Sequence, residues 1–359
     1  MPEENTEAAG AASPPFSAAK TNAEKPSWVA DIKRFEKPSA RKAAWQLSNT
    51  LIPYASLVVL MYLTMMWHLP YIVTLVIALP ASALLVRVFI FFHDCSHGSY
   101  VASPIGQKII GTVLGVFTFS CYADWRRSHG IHHSTSGNLD RRGIGDVWTM
   151  TMDEYAASTP FRRLRYRLFR NPLIMFGLGP ILSFLISQRL PTPGSNRRQI
   201  LAVILTDLAI AAIIVAATFT IGIKAYLLIQ MPIILIGGAG GIWLFYVQHQ
   251  FDPSYWARTE DWESMDAAMQ GSSYYKLPKV LQLISGNIAL HHVHHLRPRI
   301  PNYNLQECVD QTPELQLPNP LLLGPSLRSV RYKVWDEKAG RLLTMREAIQ
   351  QLRQRPVLA

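Results

Sequence analysis

The chain has 359 residues, 49% of them hydrophobic and only 16% charged, with a formal net charge of +11. Long uncharged runs in a chain of this composition point to an integral membrane protein rather than two soluble domains. The Lys and Arg residues sit in tails and loops flanking the apolar runs, a distribution that suits anionic lipid headgroups and argues against nucleic-acid binding.

Residues 1–45 are rich in Ala, Pro, Ser, Glu and Lys and lack the apolar core and small-residue cleavage site of a signal peptide. They are expected to form a solvated, disordered tail. Two apolar runs follow, about 51–67 and 71–92, separated only by His68, Leu69 and Pro70. Each approaches the ~20 residues needed to span hydrocarbon, so the pair reads as a transmembrane hairpin. A second hairpin is expected over 199–223 and 226–248.

Two shorter apolar stretches, 109–122 and 173–187, are of the length of interfacial or re-entrant segments, and Gly177, Gly179 and Pro180 break the second. With four crossings both termini and every histidine cluster fall on one side. The loop between the hairpins carries Arg126, Arg127, Arg141, Arg142, Arg162, Arg163, Arg165, Arg167 and Arg170, which marks that side as cytoplasmic. The expected architecture is all-α: four transmembrane helices as two hairpins, interfacial helices and a cytoplasmic helical cap. The membrane domain is expected over 46–335, with a C-terminal tail over 336–359 and no internal repeat beyond the hairpins.

Nine of the eleven histidines lie in three clusters: His93 to His97, His129 to His133 and His291 to His295. On a helix advancing about 100° per residue, His93 and His97 are offset by about 40° and can face one metal. His132 and His133 fall about 60° to one side and 40° to the other of His129, and His294 and His295 repeat that pattern around His291. His292 falls about 100° from His291, off the shared face, and is assigned a supporting or surface role. His249 follows the fourth span at the depth of the first cluster and is a further candidate ligand, whereas His68, in an outer turn, reads as an interfacial residue.

Eight or nine imidazoles exceed the first shell of one metal, so two metals are implied. The three cysteines, Cys95, Cys121 and Cys308, form no Cys-x-x-Cys pair, which argues against thiolate zinc and against a disulfide framework. Redox iron is the better fit to this donor set.

The segments FHDCSHGSY (92–100), WRRSHGIHHSTSGNLD (125–140) and GNIALHHVHHLRPRIPNYNL (286–305), set around two hydrophobic hairpins, resemble the membrane fatty acid desaturases. The likeness covers roughly 50–335 and is most specific to bacterial acyl-lipid enzymes of the omega-6, or delta-12, type. The resemblance implies that His93, His97, His129, His132, His133, His291, His294 and His295 bind two irons, with His249 completing the set. It further implies an acyl-lipid substrate, O2 as co-substrate, and two electrons from a separate donor of the ferredoxin or cytochrome b5 type. No catalytic residue beyond the metal ligands is expected. The segment Ile300, Pro301, Asn302 and Tyr303 fits the family's sequence after its last box and is assigned no chemical role.

Asn287, four residues before His291, is expected on the ligand face as a support. Asp94, Asp124, Asp140 and Asp146 flank the boxes and are candidates for accepting the distal N–H of an imidazole; the sequence does not rank them. Arg87 is expected to snorkel to the interface or to contact a headgroup or the site, and Asp207 to pair with a polar residue in the bundle. The three-box pattern also occurs in hydroxylases and ketolases acting on lipids or carotenoids, so oxygen insertion is the competing chemistry. A metal transporter or sensor is the competing class, and it is disfavoured because the clusters sit beyond the span ends rather than at the bilayer midplane.

Overall fold

The structure, a computed structural model, describes residues 26–354. Helix α1 (Ser27–Asp31) and a 3-10 turn over Ile32–Glu36 lead into the long helix α2 (Ala40–Met66), capped by the Ser39 hydroxyl, which accepts the Lys42 N–H at 3.3 Å. A tight turn with His68 at φ 54° precedes α3 (Tyr71–His97), which stops where Gly98 takes φ 71°. That left-handed stop suits a residue without a Cβ and leaves His93 and His97 on the last turns of the helix. Helix α4 (Pro104–Phe117) bends by 98° into α5 (Tyr122–Thr135), which carries the second cluster.

A short strand β1 (Met150–Thr151) and helices α6 (Met152–Ala157) and α7 (Pro160–Phe169) follow. A broken helix over Ile174–Arg189, π-helical in part, lies at 64° to α7. The second long hairpin is α8 (Arg197–Thr220) and α9 (Ile223–His249), hinged at Gly222. Then come α10 (Ser264–Met269), β2 (Tyr275–Lys276), α11 (Lys279–Ile284), α12 (His291–Leu296) and α13 (Asn302–Asp310). The described chain closes with β3 (Leu321–Leu322), α14 (Leu323–Ser326), β4 (Tyr332–Asp336), β5 (Arg341–Thr344) and α15 (Met345–Gln354).

Helices α2, α3, α8 and α9 are each long and apolar enough to cross a membrane. Each overlaps one expected span, and α2 and α3 extend it by about a turn or more because their polar ends, including His93 to His97, continue the helix. Half of the most apolar window of α3 is buried inside the protein against 17% for α8, so α3 is the centre of the bundle and α8 its rim. Met61, Ala78, Ala81, Leu85, Ile229 and Ile233 form the joint of α2, α3 and α9. Gly237 makes the α3–α9 approach possible, since a Cβ there would lie 3.1 Å from the Ser82 carbonyl oxygen. Exposed Ile105, Ile109, Val113 and Phe117 recur every four residues on α4, and Leu201, Leu205 and Leu208 cover α8. Such apolar stripes are stable against acyl chains, not water.

The remaining segments form a cap over the span ends that carry histidines. It contains a three-stranded sheet of order β1-β4-β5, with β1 parallel and β5 antiparallel to β4, as well as the expected helices. Its core holds Met150, Tyr155, Tyr166, Val334 and Leu343 together with Ala348 of α15. The expected boundary at residue 335 therefore cuts through β4, and the described part of the segment expected as a C-terminal tail is folded into the sheet. The expected disordered tail is likewise corrected over 26–45: Ile32 and Phe35, three apart on a short helical turn, pack against Leu290, Val293, Ile300 and Leu305. Averaging composition over 45 residues hid that apolar pair. Residues 1–25 and 355–359 lie outside the described residues.

Candidate metal centre

The histidines converge from four helices. His93, His97, His129, His133 and His294 form one group, and His132, His249, His291 and His295 form a second; within each group the ligand nitrogens lie within 4.8 Å of one another. Helix phase explains the partition. Histidines four apart (93 and 97, 129 and 133, 291 and 295) stay together, whereas the fourth residue of each His-x-x-His-His cluster, His132 or His294, swings to the other group. His133 stacks on His295 with ring centroids 4.1 Å apart and planes at 19°, so the two groups share a wall.

Nitrogens about 2.1 Å from one metal and at right angles to each other would be about 3.0 Å apart. In the first group the Nε2 atoms of His129 and His133, and of His133 and His294, are each 3.1 Å apart. In the second, His249 Nε2 lies 3.1 Å from His132 Nε2 and 3.0 Å from His291 Nε2. The buried Nε2 atoms of His97 and His295 have no hydrogen-bond partner in the protein. Burial, reinforced by neighbouring imidazoles, holds His291, His294 and His295 well below the ordinary imidazole range, which keeps them in the neutral, ligating form. Both groups fit a metal in spacing and donor chemistry.

Two carboxylates orient imidazoles. Asp146 Oδ1 accepts from His132 Nδ1 at 2.6 Å, and Asp94 Oδ1 lies 3.2 Å from His93 Nδ1. Asp94 Oδ2 also accepts both N–H donors of Asn302, from the backbone at 2.7 Å and from the side chain at 2.9 Å. Asp124 instead holds the turn at Thr192 and Ser195, and Asp140 pairs with Arg258. Trp125, one turn before His129, stacks on its ring at 4.2 Å.

Asn287 does not extend the ligand helix. It adopts φ 57° in the turn before α12, which begins only at His291, and its Nδ2 donates to the Asn302 carbonyl. The offset of four residues carries no facing relation across that turn. His292 is buried outside both groups, with Nε2 2.9 Å from the Leu315 carbonyl oxygen. Arg87 is only 6% exposed and donates to Asn49 Oδ1 at 3.0 Å, so it is held inside the bundle rather than snorkelling. Asp207 pairs with Arg189 at 2.5 Å.

Two residues named in the sequence but given no role there carry structural weight. Asn302 ties Asp94 to Gln46, whose Nε2 donates to its side-chain oxygen at 2.8 Å. Arg170, read only as one of the loop's positive charges, is fully buried; it donates to Gln250 Oε1, the Tyr246 hydroxyl and the Trp148 carbonyl, bracing the segments that carry His249 and Asp146. A string of arginines gives no sign of which one turns inward.

An apolar cavity of about 330 Å³ runs between α3, α9 and the broken helix. Leu85, Phe89, Phe184, Gly238 and Gly241 line its body, and His93, His129 and His291, drawn from both groups, close its end.

Residues 68–321 match the fatty acid desaturase family model. The chain is 43% identical to a fatty acid desaturase of Bacillus subtilis over 315 residues, 88% of this chain and 89% of that protein. It is 26% identical to the chloroplastic sn-2 acyl-lipid omega-3 desaturase (ferredoxin) of Arabidopsis thaliana over 62% of this chain and 51% of that protein. It is 24% identical to the sn-1 oleoyl-lipid 12-desaturase of a Synechocystis species over 62% of this chain and 63% of the other. A match over most of its length, with nine imidazoles gathered in two groups of which three line an apolar cavity, makes this chain a member of the fatty acid desaturase family, an oxidoreductase that desaturates fatty acids.

Proposed function

We propose that the nine histidines hold two irons and that the enzyme introduces a cis double bond into the acyl chain of a membrane lipid, with delta-12, or omega-6, regiochemistry. The observation that carries this reading is the apolar cavity ending on ligands of both groups, which would bring a methylene segment to the metals while its walls exclude water. The long motifs around the boxes and the 12-desaturase among the relatives support the regiochemistry.

The bound irons would supply the activation of O2 needed to break unactivated C–H bonds. In the balanced reaction the substrate gives up two hydrogens from adjacent carbons, and an external donor gives two electrons with two protons from solvent. O2 leaves as two waters. The protein's part is positional: Asp146 and Asp94 fix the rings of His132 and His93, Trp125 fixes His129, and Phe89 and Phe184 press on the acyl path. The electron donor is read as a separate ferredoxin or cytochrome b5 type protein, a reading supported by the ferredoxin in the Arabidopsis relative's name. The basic loop supports an orientation with the metal centre and both termini on the cytoplasmic side, in a bacterial inner membrane.

The test is mass spectrometry of lipids from a host expressing the chain, with the double bond located chemically, beside metal analysis of the purified protein. New unsaturated acyl chains and two irons per chain are expected. Oxygenated products would replace desaturation with hydroxylation or ketolation, and a chain that binds no iron would remove the proposed chemistry.

A further inference from the structure

Helix α7 has two unlike faces. Tyr166 and Arg170 point into the cap and are fully buried; the Tyr166 hydroxyl donates to the Lys333 carbonyl, and Arg170 reaches the Tyr246 hydroxyl and Gln250 at the end of α9. On the opposite side Phe161, Leu164 and Leu168 are 69%, 52% and 46% exposed. This spacing of three and four residues makes one apolar stripe. Arg162 and Arg165 border it and are exposed, and their side chains make no hydrogen bond or ion pair within the described residues, Arg165 lying over the Phe161 ring at 6.0 Å; Arg163 and Arg167, by contrast, donate hydrogen bonds to Tyr155.

Depth and continuity identify what covers this stripe. Arg170 binds the last turn of α9, so α7 lies at the level where that span ends. Past the bend the exposed apolar track continues through Leu173 and then Leu178, Leu182 and Ile186 of the broken helix. A helix with an apolar stripe bordered by arginines, held at the end of a span, is built to lie in the plane of a leaflet, its guanidinium groups at the phosphates.

We propose that α7 seats on an anionic lipid surface, with Phe161, Leu164 and Leu168 among the acyl chains and Arg162 and Arg165 on headgroup phosphates. The inference goes beyond desaturation and is read without turnover, so it stands or falls separately from the chemistry proposed above.

The experiment places a nitroxide label at Leu164→Cys, or at Leu168→Cys should the first variant fold poorly, in the metal-loaded full chain. The protein is reconstituted in nanodiscs of phosphatidylcholine alone or mixed with phosphatidylglycerol. A label at the exposed cap residue Lys338→Cys serves as the aqueous reference. In the phosphatidylglycerol discs the α7 label is expected to lose accessibility to a water-soluble nickel reagent and gain accessibility to O2, relative to Lys338→Cys. Arg162→Glu with Arg165→Glu is expected to abolish that shift at unchanged metal content. A label as wet as the reference in both lipids would overturn the membrane seat. A label equally buried in both, with no response to the charge reversals, would overturn the anionic selectivity.

Discussion

Asp146 accepts a hydrogen bond from His132 Nδ1 at 2.6 Å, on the side of the ring away from the nitrogen that meets His249. The carboxylate fixes the tautomer with the proton on Nδ1 and leaves the Nε2 lone pair for a metal. Asp146 is itself steadied by the Gly143 N–H at 2.9 Å. Asp146→Ala should therefore weaken metal binding in the His132 group by on the order of 10- to 100-fold. Asp146→Asn keeps an acceptor oxygen and should fall between wild type and Ala. Metal titration of the purified variants reads the difference; equal affinity across all three proteins would show that the carboxylate does not orient the ring.

His291 and His292 are neighbours with opposite assignments. His291 Nε2 meets His249 in the second group, while His292 Nε2 meets the Leu315 carbonyl in the cap core. His291→Ala should lower the metal content. His292→Ala should keep the metal but strand a buried acceptor, at a cost of about 1–3 kcal/mol in stability. Metal analysis and thermal unfolding of the two variants separate these outcomes, and metal loss in His292→Ala would bring that residue into the centre.

The contrast between these neighbours also marks how far the sequence could be read. Offsets of about 40° and 100° on a helix separate His291 and His295 from His292 without any tertiary knowledge. The same arithmetic places His132 and His133 on different flanks of His129, but which metal group each flank faces depends on the helices opposite, and no local pattern encodes that. Asp94 and Asp146 stand beside their histidines in space for the same reason, while Asp124 and Asp140, nearer to a histidine box in sequence than Asp146 is, are drawn to Thr192 and Arg258. The four spans were legible because hydrocarbon imposes a length and a composition. The cap's sheet was not legible, because β4 and β5 are short, bury consecutive residues (Val334 to Asp336, Leu342 and Leu343) instead of alternating, and β4 pairs with Met150, nearly two hundred positions away.

Gly241 lines the apolar cavity, and a Cβ built there meets no atom within 4 Å. A larger side chain at this position would occupy acyl space rather than collide with the fold. Gly241→Leu is expected to fold, retain its metal and shift the product profile toward shorter acyl chains, read by chromatography of host lipids. Gly238→Leu is the structural contrast: a Cβ at Gly238 would lie 2.8 Å from Pro180 Cβ, so this variant should unseat the broken helix and lose stability. An unchanged chain-length profile in Gly241→Leu would place the acyl path elsewhere.

Lys333, on β4, points its ammonium at the Arg170 carbonyl, and burial, with the nearby Arg170 charge, lowers its pKa from 10.5 to about 8. The unfolded chain thus holds this proton more tightly than the folded one. Stability rises with pH wherever the unfolded state binds more protons, so the penalty is full below about 8 and is relieved as pH rises toward 10.5. Lys333→Met should remove the penalty, giving a variant more stable than wild type at neutral pH, with the gain shrinking through that window. Unfolding midpoints measured across the range test the sign, and a gain that grows with pH would refute it.

Metal removal should act on folding as well as on turnover. The two histidine groups tie α3, α5, α9 and α12 together, and each helix brings imidazoles whose burial as neutral, mutually close rings is offset by metal bonds. A metal bound only by the folded state adds stability as RT ln(1 + [L]/Kd), about 4 kcal/mol per site when free metal is ~1,000 times Kd. Chelation should therefore lower the unfolding midpoint and loosen the ends of these four helices, seen as faster amide exchange around His132 and His249, while α8, which brings no histidine to either group, stays protected. The His132→Ala variant, already missing one ligand of the second group, should lose less on chelation than wild type. A midpoint indifferent to the chelator in wild type would mean that the imidazole groups are held by packing alone.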